Sequence, residues 1–207
     1  MEPCLLQLDS IEFAWKELGP GSWLVDSELE MIYELLQMCP GLERIVVPQL
    51  SEQDVITHLV PLVATTMPQL RHLDLTHVSD QPLGTCCLVE SCKDLVSLNM
   101  ERLQFDSRVL VDAVMAGHGH SLESLDIRKS TKLSSQQLNL LLSCCHRLKS
   151  LYALTSDYCP EWNTAASPML NTNDLAMVPE ELGWTCKDLE TLQLYYSGME
   201  ASFGIPE

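Results

Sequence analysis

The sequence predicts an α/β solenoid in which short parallel strands alternate with helices. Two observations lead to this fold class: a leucine pattern that recurs along the chain, and amphipathic stretches between its copies. The pattern is Leu, two residues, an aliphatic residue, one residue and another apolar residue. In 207 residues it starts at Leu8, Leu42, Leu70, Leu95, Leu122, Leu148 and Leu189. Successive starts lie 34, 28, 25, 27, 26 and 41 residues apart, a range typical of units that stack into one array.

Each copy of the leucine pattern predicts one strand. Apolar and polar residues alternate in its second half, as in Leu73-Asp74-Leu75. Such alternation places the apolar side chains in the core and the residues beside them on the opposite face of a sheet. The sequence therefore predicts seven short strands with one buried face.

The stretches between strands predict helices because their apolar residues recur with helical spacing. Ser134, followed three residues later by Gln137, is a capping-box signal for one helix start, and Pro40 and Pro68 stand where two helices must end. Similar start signals begin at Ser27 and Ser51. The predicted helices span about 27–38, 53–66, 83–91, 107–116 and 135–145.

About seven strand-helix units predict a single leucine-rich-repeat domain over 1–207. Stacked units of this kind curve into a horseshoe, with parallel strands on the concave face and helices outside. An irregular insertion at about 155–173 interrupts the array and is rich in turn-forming residues. Its Tyr158 and Trp162 are candidate binding residues, and an insertion without function is an equal alternative.

Charge and hydropathy exclude several partners. Acidic residues outnumber basic ones 29 to 12, which gives a net charge of −17 and opposes binding to nucleic acid or to an anionic membrane. A solvated acidic surface explains this charge more simply than a dedicated docking patch. Neither a signal peptide nor an apolar run long enough for a bilayer is present. We expect an intracellular protein, cytoplasmic or nuclear.

The nine cysteines are odd in number and contain no C-x-x-C pair, which argues against disulfides or a metal site. Four of them stand three residues before a repeat leucine, and Met or Gly fills the same slot in two other repeats. The slot is occupied by Cys39, Met67, Cys92, Gly119, Cys145 and Cys186. A slot filled by small or soft side chains predicts buried, reduced thiols.

Catalytic chemistry has little support in the sequence. His118 and His120, together with Cys144, Cys145 and His146, suggest zinc, but they lack the paired spacing of structural zinc sites. Nucleophile, phosphate-binding and metalloprotease motifs are missing as well. The sequence predicts a non-enzyme with no cofactor and no metal, and a zinc or Cys/His hydrolase stays only as a third alternative.

The outward strand positions form the main candidate site for a protein partner. They are polar in the central repeats and become aromatic toward the C-terminal end, where aromatic side chains can anchor an interface. Ordinary exposed strand residues are the simpler alternative for any single position. The candidates are His72, Asp74, Asn99, Glu101, Asp126, Arg128, Tyr152, Leu154, Gln193 and Tyr195.

Two segments carry a family resemblance. The phrases Cys92-x-x-Leu95-x-x-Leu98 and Cys145-x-x-Leu148-x-x-Leu151 resemble the cysteine-containing class of leucine-rich repeat. That class is typical of F-box/leucine-rich-repeat proteins, and the divergent repeats look most similar to fungal members.

The resemblance implies that the repeats recognise a protein destined for ubiquitination. The F-box segment, which recruits a cullin-type ubiquitin ligase, has no match in these residues. The ligase is therefore an expected partner only if an F-box lies outside this chain. A stand-alone scaffold or inhibitor unrelated to ubiquitination is the alternative.

Overall fold

The computed structural model describes residues 9–12, 26–47, 50, 52–76, 78, 82–101, 106–155 and 185–196. Within these ranges strands and helices alternate along the chain. The strands are β1 (Ser10–Glu12), β2 (Arg44–Val46), β3 (His72–Asp74), β4 (Ser97–Asn99), β5 (Ser124–Leu133), β6 (Ser150–Thr155) and β7 (Thr191–Tyr196). The helices are α1 (Asp26–Gln37), α2 (Glu52–Asp54), α3 (Val60–Thr66), α4 (Pro82–Ser91), α5 (Ser107–Gly117) and α6 (Ser135–Cys144), and a π-helical segment, Val55–Leu59, joins α2 to α3.

The seven strands form one parallel sheet in chain order, from β1 to β7. Equivalent residues of the leucine pattern lie side by side: Ile45 pairs with Leu73, Leu73 with Leu98, and Leu98 with Leu125. The predicted α/β structure, with parallel strands alternating with helices, is confirmed. The predicted helices also match, because each observed helical stretch begins and ends within one residue of the expected bounds.

A repeated pair of backbone hydrogen bonds connects each unit to the next. The carbonyl of Glu123, directly after a repeat leucine, accepts from the amides of Lys149 and Ser150 at 2.8 and 3.0 Å. The same two-donor arrangement occurs at the carbonyls of Asp9, Glu43, Arg71, Val96 and Lys149. Because every junction in the described sheet uses the same bonds, the leucine period fixes the register of the strands.

The buried side chains form a single cluster between the sheet and the helices. Inward strand residues such as Leu98, Leu125 and Leu151 contribute one side, and helix residues such as Leu88 and Leu142 contribute the other. Val46, which alternation places on the outward face, is also buried, at 7% exposure. One face of the sheet is therefore covered by helices, and the other is partly exposed.

The cysteine slots are buried as predicted. Cys39, Met67, Cys92, Cys145 and Cys186 have exposures of 0–4%, and the seven cysteines in the described part of the chain are free thiols. Burial raises the pKa of Cys92 and Cys145 to about 12, so both remain protonated and unreactive at neutral pH.

The second helical stretch is one predicted helix that changes geometry near Pro61. Proline has no amide to donate, and its ring collides with the carbonyl four residues earlier in a regular α-helix. The wider π turn over Val55–Leu59 ends two residues before this proline, and the amide of Val60 donates to the carbonyl of Val55. The π turn thus places Pro61 in the first turn of α3, where the missing amide costs little.

The turn between α5 and β5 differs from the equivalent turn between α6 and β6. His118 caps α5, and its carbonyl accepts the amide of Leu122 at 3.0 Å, whereas Cys145 provides the equivalent carbonyl for Leu148. The His118 ring is fully buried, with Nε2 2.8 Å from the Val89 carbonyl oxygen, and Nδ1 has no hydrogen-bond partner among the described residues. Burial lowers the pKa of His118 below its ordinary value, which favours the neutral ring at pH 7.

Within the described ranges, no helix combines the length and the apolar character needed to cross a bilayer. The predicted insertion at about 155–173 starts at the end of β6. The remainder of that insertion, with Tyr158 and Trp162, lies outside the described residues.

Candidate functional site

The face of the sheet opposite the helices, termed the open face, carries its side chains in rows that cross the strands. The first row contains Arg44, His72, Ser97, Ser124, Ser150 and Thr191. The second row contains Val46, Asp74, Asn99, Asp126, Tyr152 and Gln193. A third set of residues lies two positions further along each chain segment, either within a longer strand or just after a short one. It contains Thr76, Glu101, Arg128, Leu154 and Tyr195. All ten strand candidates predicted from the sequence therefore lie on one surface.

Three of those candidates have a structural role in the backbone. Asp74 Oδ1 accepts the amide of Thr76 at 3.0 Å, and Asn99 Oδ1 accepts the amide of Glu101 at 3.1 Å. Asp126 Oδ1 accepts the amide of Arg128 at 3.1 Å. These are Asx turns, in which a short polar side chain takes the place of a backbone acceptor as the chain leaves the strand. Local structure therefore accounts for the choice of Asp or Asn at these positions.

Arg128 organises the middle of the open face. Its Nε lies 3.0 Å from both carboxylate oxygens of Asp126, and its Nη2 lies 2.6 Å from Asp126 Oδ2. A second ion pair joins Nη2 to Glu101 at 3.6 Å, and the guanidinium carbon lies 5.1 Å from the centre of the Tyr152 ring. The hydrogen bonds with Asp126 are the main cause of a raised pKa of Arg128, and Tyr195 adds to the shift. This network holds a cation and an aromatic ring in fixed positions.

A bulge in β5 supplies a residue that the sequence patterns did not indicate. The pairing of β5 with β6 shifts between Ile127 and Lys132, and Lys129 within this gap has a φ of 55°. The turn brings Lys129 Nζ to 3.1 Å from Glu101 Oε1. The leucine pattern gives no signal for the bulge, because the extra residues lie after its last apolar position.

The C-terminal end of the open face is aromatic and exposed. Tyr195 is 43% exposed, and its hydroxyl donates to Gln193 Oε1 at 3.0 Å. Leu154 is half-buried beside it, in register with Tyr195. An amphipathic ring held by a hydrogen bond presents contact area at low entropic cost.

A depression of about 170 Å³ lies across the middle strands of the open face. Its lining includes Arg44 and His72 from the first row, Asp74 and Asp126 from the second, and Tyr152 at one side. Backbone-anchored polar residues thus share the depression with a cation and an aromatic ring. It can accept a small polar or charged group of a partner.

The histidines considered for zinc are engaged elsewhere. His118 Nε2 contacts the Val89 carbonyl, His120 Nε2 lies 3.7 Å from Asp94, and His146 Nδ1 lies 2.6 Å from the Thr185 hydroxyl. Across the described residues, no group of three or more His, Cys, Asp or Glu side chains converges on a point.

The open face, with its anchored polar rows, Arg128 network and exposed tyrosine, is therefore the candidate functional site. Comparison with protein-family models and with curated proteins finds no match for this chain.

Proposed function

We propose that this chain is a leucine-rich-repeat horseshoe whose open face is concave and binds another protein. The supporting features are the regular repeat, the parallel strands in chain order, and the helices confined to the other side of the sheet. Solenoids of this type use their extended concave surface for recognition, because the curvature of the stack brings the outward strand side chains of many units onto one continuous surface.

The observation that carries the proposal is the Arg128 network, which includes the half-buried Tyr152, beside the exposed Tyr195. Arg and Tyr dominate the binding energy of protein interfaces when they are held rigidly near the centre of a contact. Arg128 is fixed by Asp126, Glu101 and Tyr152, and Tyr195 is fixed by Gln193. These side chains lose little conformational freedom on binding, which favours association.

For the cellular setting, we propose selection of a target protein for ubiquitin-dependent degradation in the cytoplasm or nucleus. The support is the resemblance of the cysteine-containing repeats to F-box/leucine-rich-repeat proteins, together with the buried free thiols at Cys92 and Cys145. Reduced thiols suit an intracellular compartment. A cullin-type ligase enters this proposal only through an F-box outside the chain. Binding, rather than catalysis, is the proposed activity.

The double substitution Tyr152→Ala with Tyr195→Ala tests the recognition surface. Each anchor is expected to contribute about 1–2 kcal/mol, so affinity for a purified partner should fall by roughly 30-fold or more. The partner is first identified by affinity purification with the wild-type chain, and the dissociation constants are then measured by calorimetry.

A matched control removes exposed apolar side chains from the helical side, through Met31→Ala with Leu140→Ala. These residues are 64% and 41% exposed, and their loss should leave the affinity unchanged. Circular dichroism of both variants confirms that the fold is intact. Equal affinity of the tyrosine variant and the wild type would refute the proposed surface.

A further inference from the structure

Asp74 and Arg44, two charged side chains in the depression, have no ion pair among the residues that the structure describes. Asp74 accepts hydrogen bonds only from the neutral residues Thr76 and Asn99, and Arg44 makes no ion pair within the described part of the chain. Both line the same depression. Asp74 is half-buried, whereas Arg44 is exposed. A partly buried carboxylate without a cation is the feature expected where a ligand supplies the missing partner, and the exposed Arg44 beside it is available to an acidic group of the same ligand.

The neighbouring charges are compensated, which makes this pair distinctive. Asp126 is bound by Arg128, and Glu101 is bound by Arg128 and Lys129. Of these three carboxylates, Asp74 is therefore the one without a cation among the described residues. An incoming basic group meets an unpaired carboxylate here and would have to displace an arginine or a lysine at the other two.

The spacing of the two unpaired charges matches an extended chain. Arg44 is in register with His72, which stands two residues before Asp74 on the adjacent strand. A strand spacing of about 4.8 Å and a rise of about 3.3 Å per residue separate their Cα atoms by roughly 8 Å. In an extended segment, residues i and i+2 point to the same side and lie about 6.6 Å apart. The difference between these two Cα separations is small enough for long charged side chains to span.

We propose that the depression binds an extended polypeptide segment whose basic side chain pairs with Asp74 and whose acidic side chain, two residues away, pairs with Arg44. This proposal rests on the proposed function and specifies its ligand. The chain's net charge of −17 additionally favours the approach of a basic segment.

Asp74→Asn removes the charge and keeps the Asx turn, although it also replaces the Oδ2 that accepts from Asn99 Nδ2 by an amide nitrogen. An asparagine can still accept the amide of residue 76, as Asn99 does for Glu101 in the next repeat. The Asx turn is therefore retained while the carboxylate charge is lost. Asp112→Asn is the matched control, because Asp112 is an exposed carboxylate on α5, on the helical side of the sheet.

The experiment begins with selection of binders from a displayed library of random nonapeptides against the whole chain. Selected peptides should be enriched in a basic and an acidic residue separated by one position. Their affinity should fall roughly tenfold for Asp74→Asn and for Arg44→Gln, and should not change for Asp112→Asn.

A peptide-side substitution keeps the test independent of folding. Replacing the peptide's arginine by citrulline, or its lysine by acetyl-lysine, should cost wild-type binding the same roughly tenfold and should cost Asp74→Asn nothing further. Peptides that compete at Tyr152 and Tyr195 but are insensitive to Asp74→Asn would overturn this inference and leave the proposed function standing. Selected peptides that are insensitive to Asp74→Asn and Arg44→Gln and that also bind equally well to the Tyr152→Ala, Tyr195→Ala variant would instead refute the proposed function.

Discussion

Gly119 lies so close to the following repeat that an added methyl group should push the fifth and sixth repeats apart. A Cβ atom at Gly119 would lie 2.9 Å from the carbonyl oxygen of Cys144 and 3.4 Å from its carbonyl carbon. Both are backbone atoms at the end of α6, so no flexible side chain can move aside. The carbonyl of Gly119 also accepts the amide of His146 at 3.1 Å, which fixes the two chain segments against each other. Gly119→Ala therefore requires a backbone shift between the fifth and sixth repeats.

The cost of that shift can be estimated. Forcing an extra carbon into a close-packed contact typically costs about 1–3 kcal/mol. Replacing glycine by alanine recovers about 0.4–1 kcal/mol by restricting the unfolded chain. The net loss for Gly119→Ala is about 1–2 kcal/mol, which corresponds to a Tm lower by roughly 2–8 °C in a chain of this size. Urea denaturation followed by far-ultraviolet circular dichroism measures the difference.

Gly117→Ala is the control two residues away. A methyl group at Gly117 would meet nothing within 4 Å, and Gly117 is the last residue of α5. Alanine there should stabilise the protein by about 0.5–1 kcal/mol through better helix propensity. The two substitutions should thus change stability in opposite directions. Equal stability of Gly119→Ala and Gly117→Ala would refute the close contact between the repeats.

Two further predictions concern helix ends. Because burial lowers the pKa of His118 below its ordinary 6.5, its contribution to stability is complete above that value and is lost as pH falls. His118→Gln can still donate a hydrogen bond to the Val89 carbonyl. Between about pH 7 and pH 5, its free energy of unfolding should depend less on pH than that of the wild type. An identical slope for the two proteins would contradict this prediction. Ser134→Ala removes the acceptor for the Gln137 amide and should lower the free energy of unfolding, measured by urea denaturation, by about 0.5–2 kcal/mol. Ser134→Asp, which keeps an acceptor, should retain most of this stability. An alanine variant as stable as the wild type would contradict the capping box.

Most of the fold could be predicted from the sequence because its signals are local and repeated. The leucine pattern sets the strands, and caps such as Ser134 with Gln137 set the helix ends, so neither depends on distant contacts. The β5 bulge at Lys129 and the π turn before Pro61 break the period. Of these two irregularities, only the π turn has a local signal, the proline itself.

The candidate site could be predicted as a surface but not as a network. Alternation identifies Asp126 and Arg128 as outward residues, yet their bidentate pairing and the contact with Tyr152 depend on side-chain geometry across strands. The absence of an ion pair at Arg44 among the described residues is likewise visible only when its neighbours are in place. Repetition of Asp or Asn at the same register, in Asp74, Asn99 and Asp126, was the available clue to the Asx turns.

Those Asx turns restrict how this surface can change during evolution. At Asp74, Asn99 and Asp126 the side chain must accept a backbone amide, so the tolerated exchanges are essentially between aspartate and asparagine. Such an exchange switches a charge on or off without altering shape. The adjacent Ser97 and Ser124, which have no such bond in the described structure, can vary in size. On the proposed recognition surface, specificity could therefore change electrostatically at Asp74, Asn99 and Asp126 and sterically at Ser97 and Ser124.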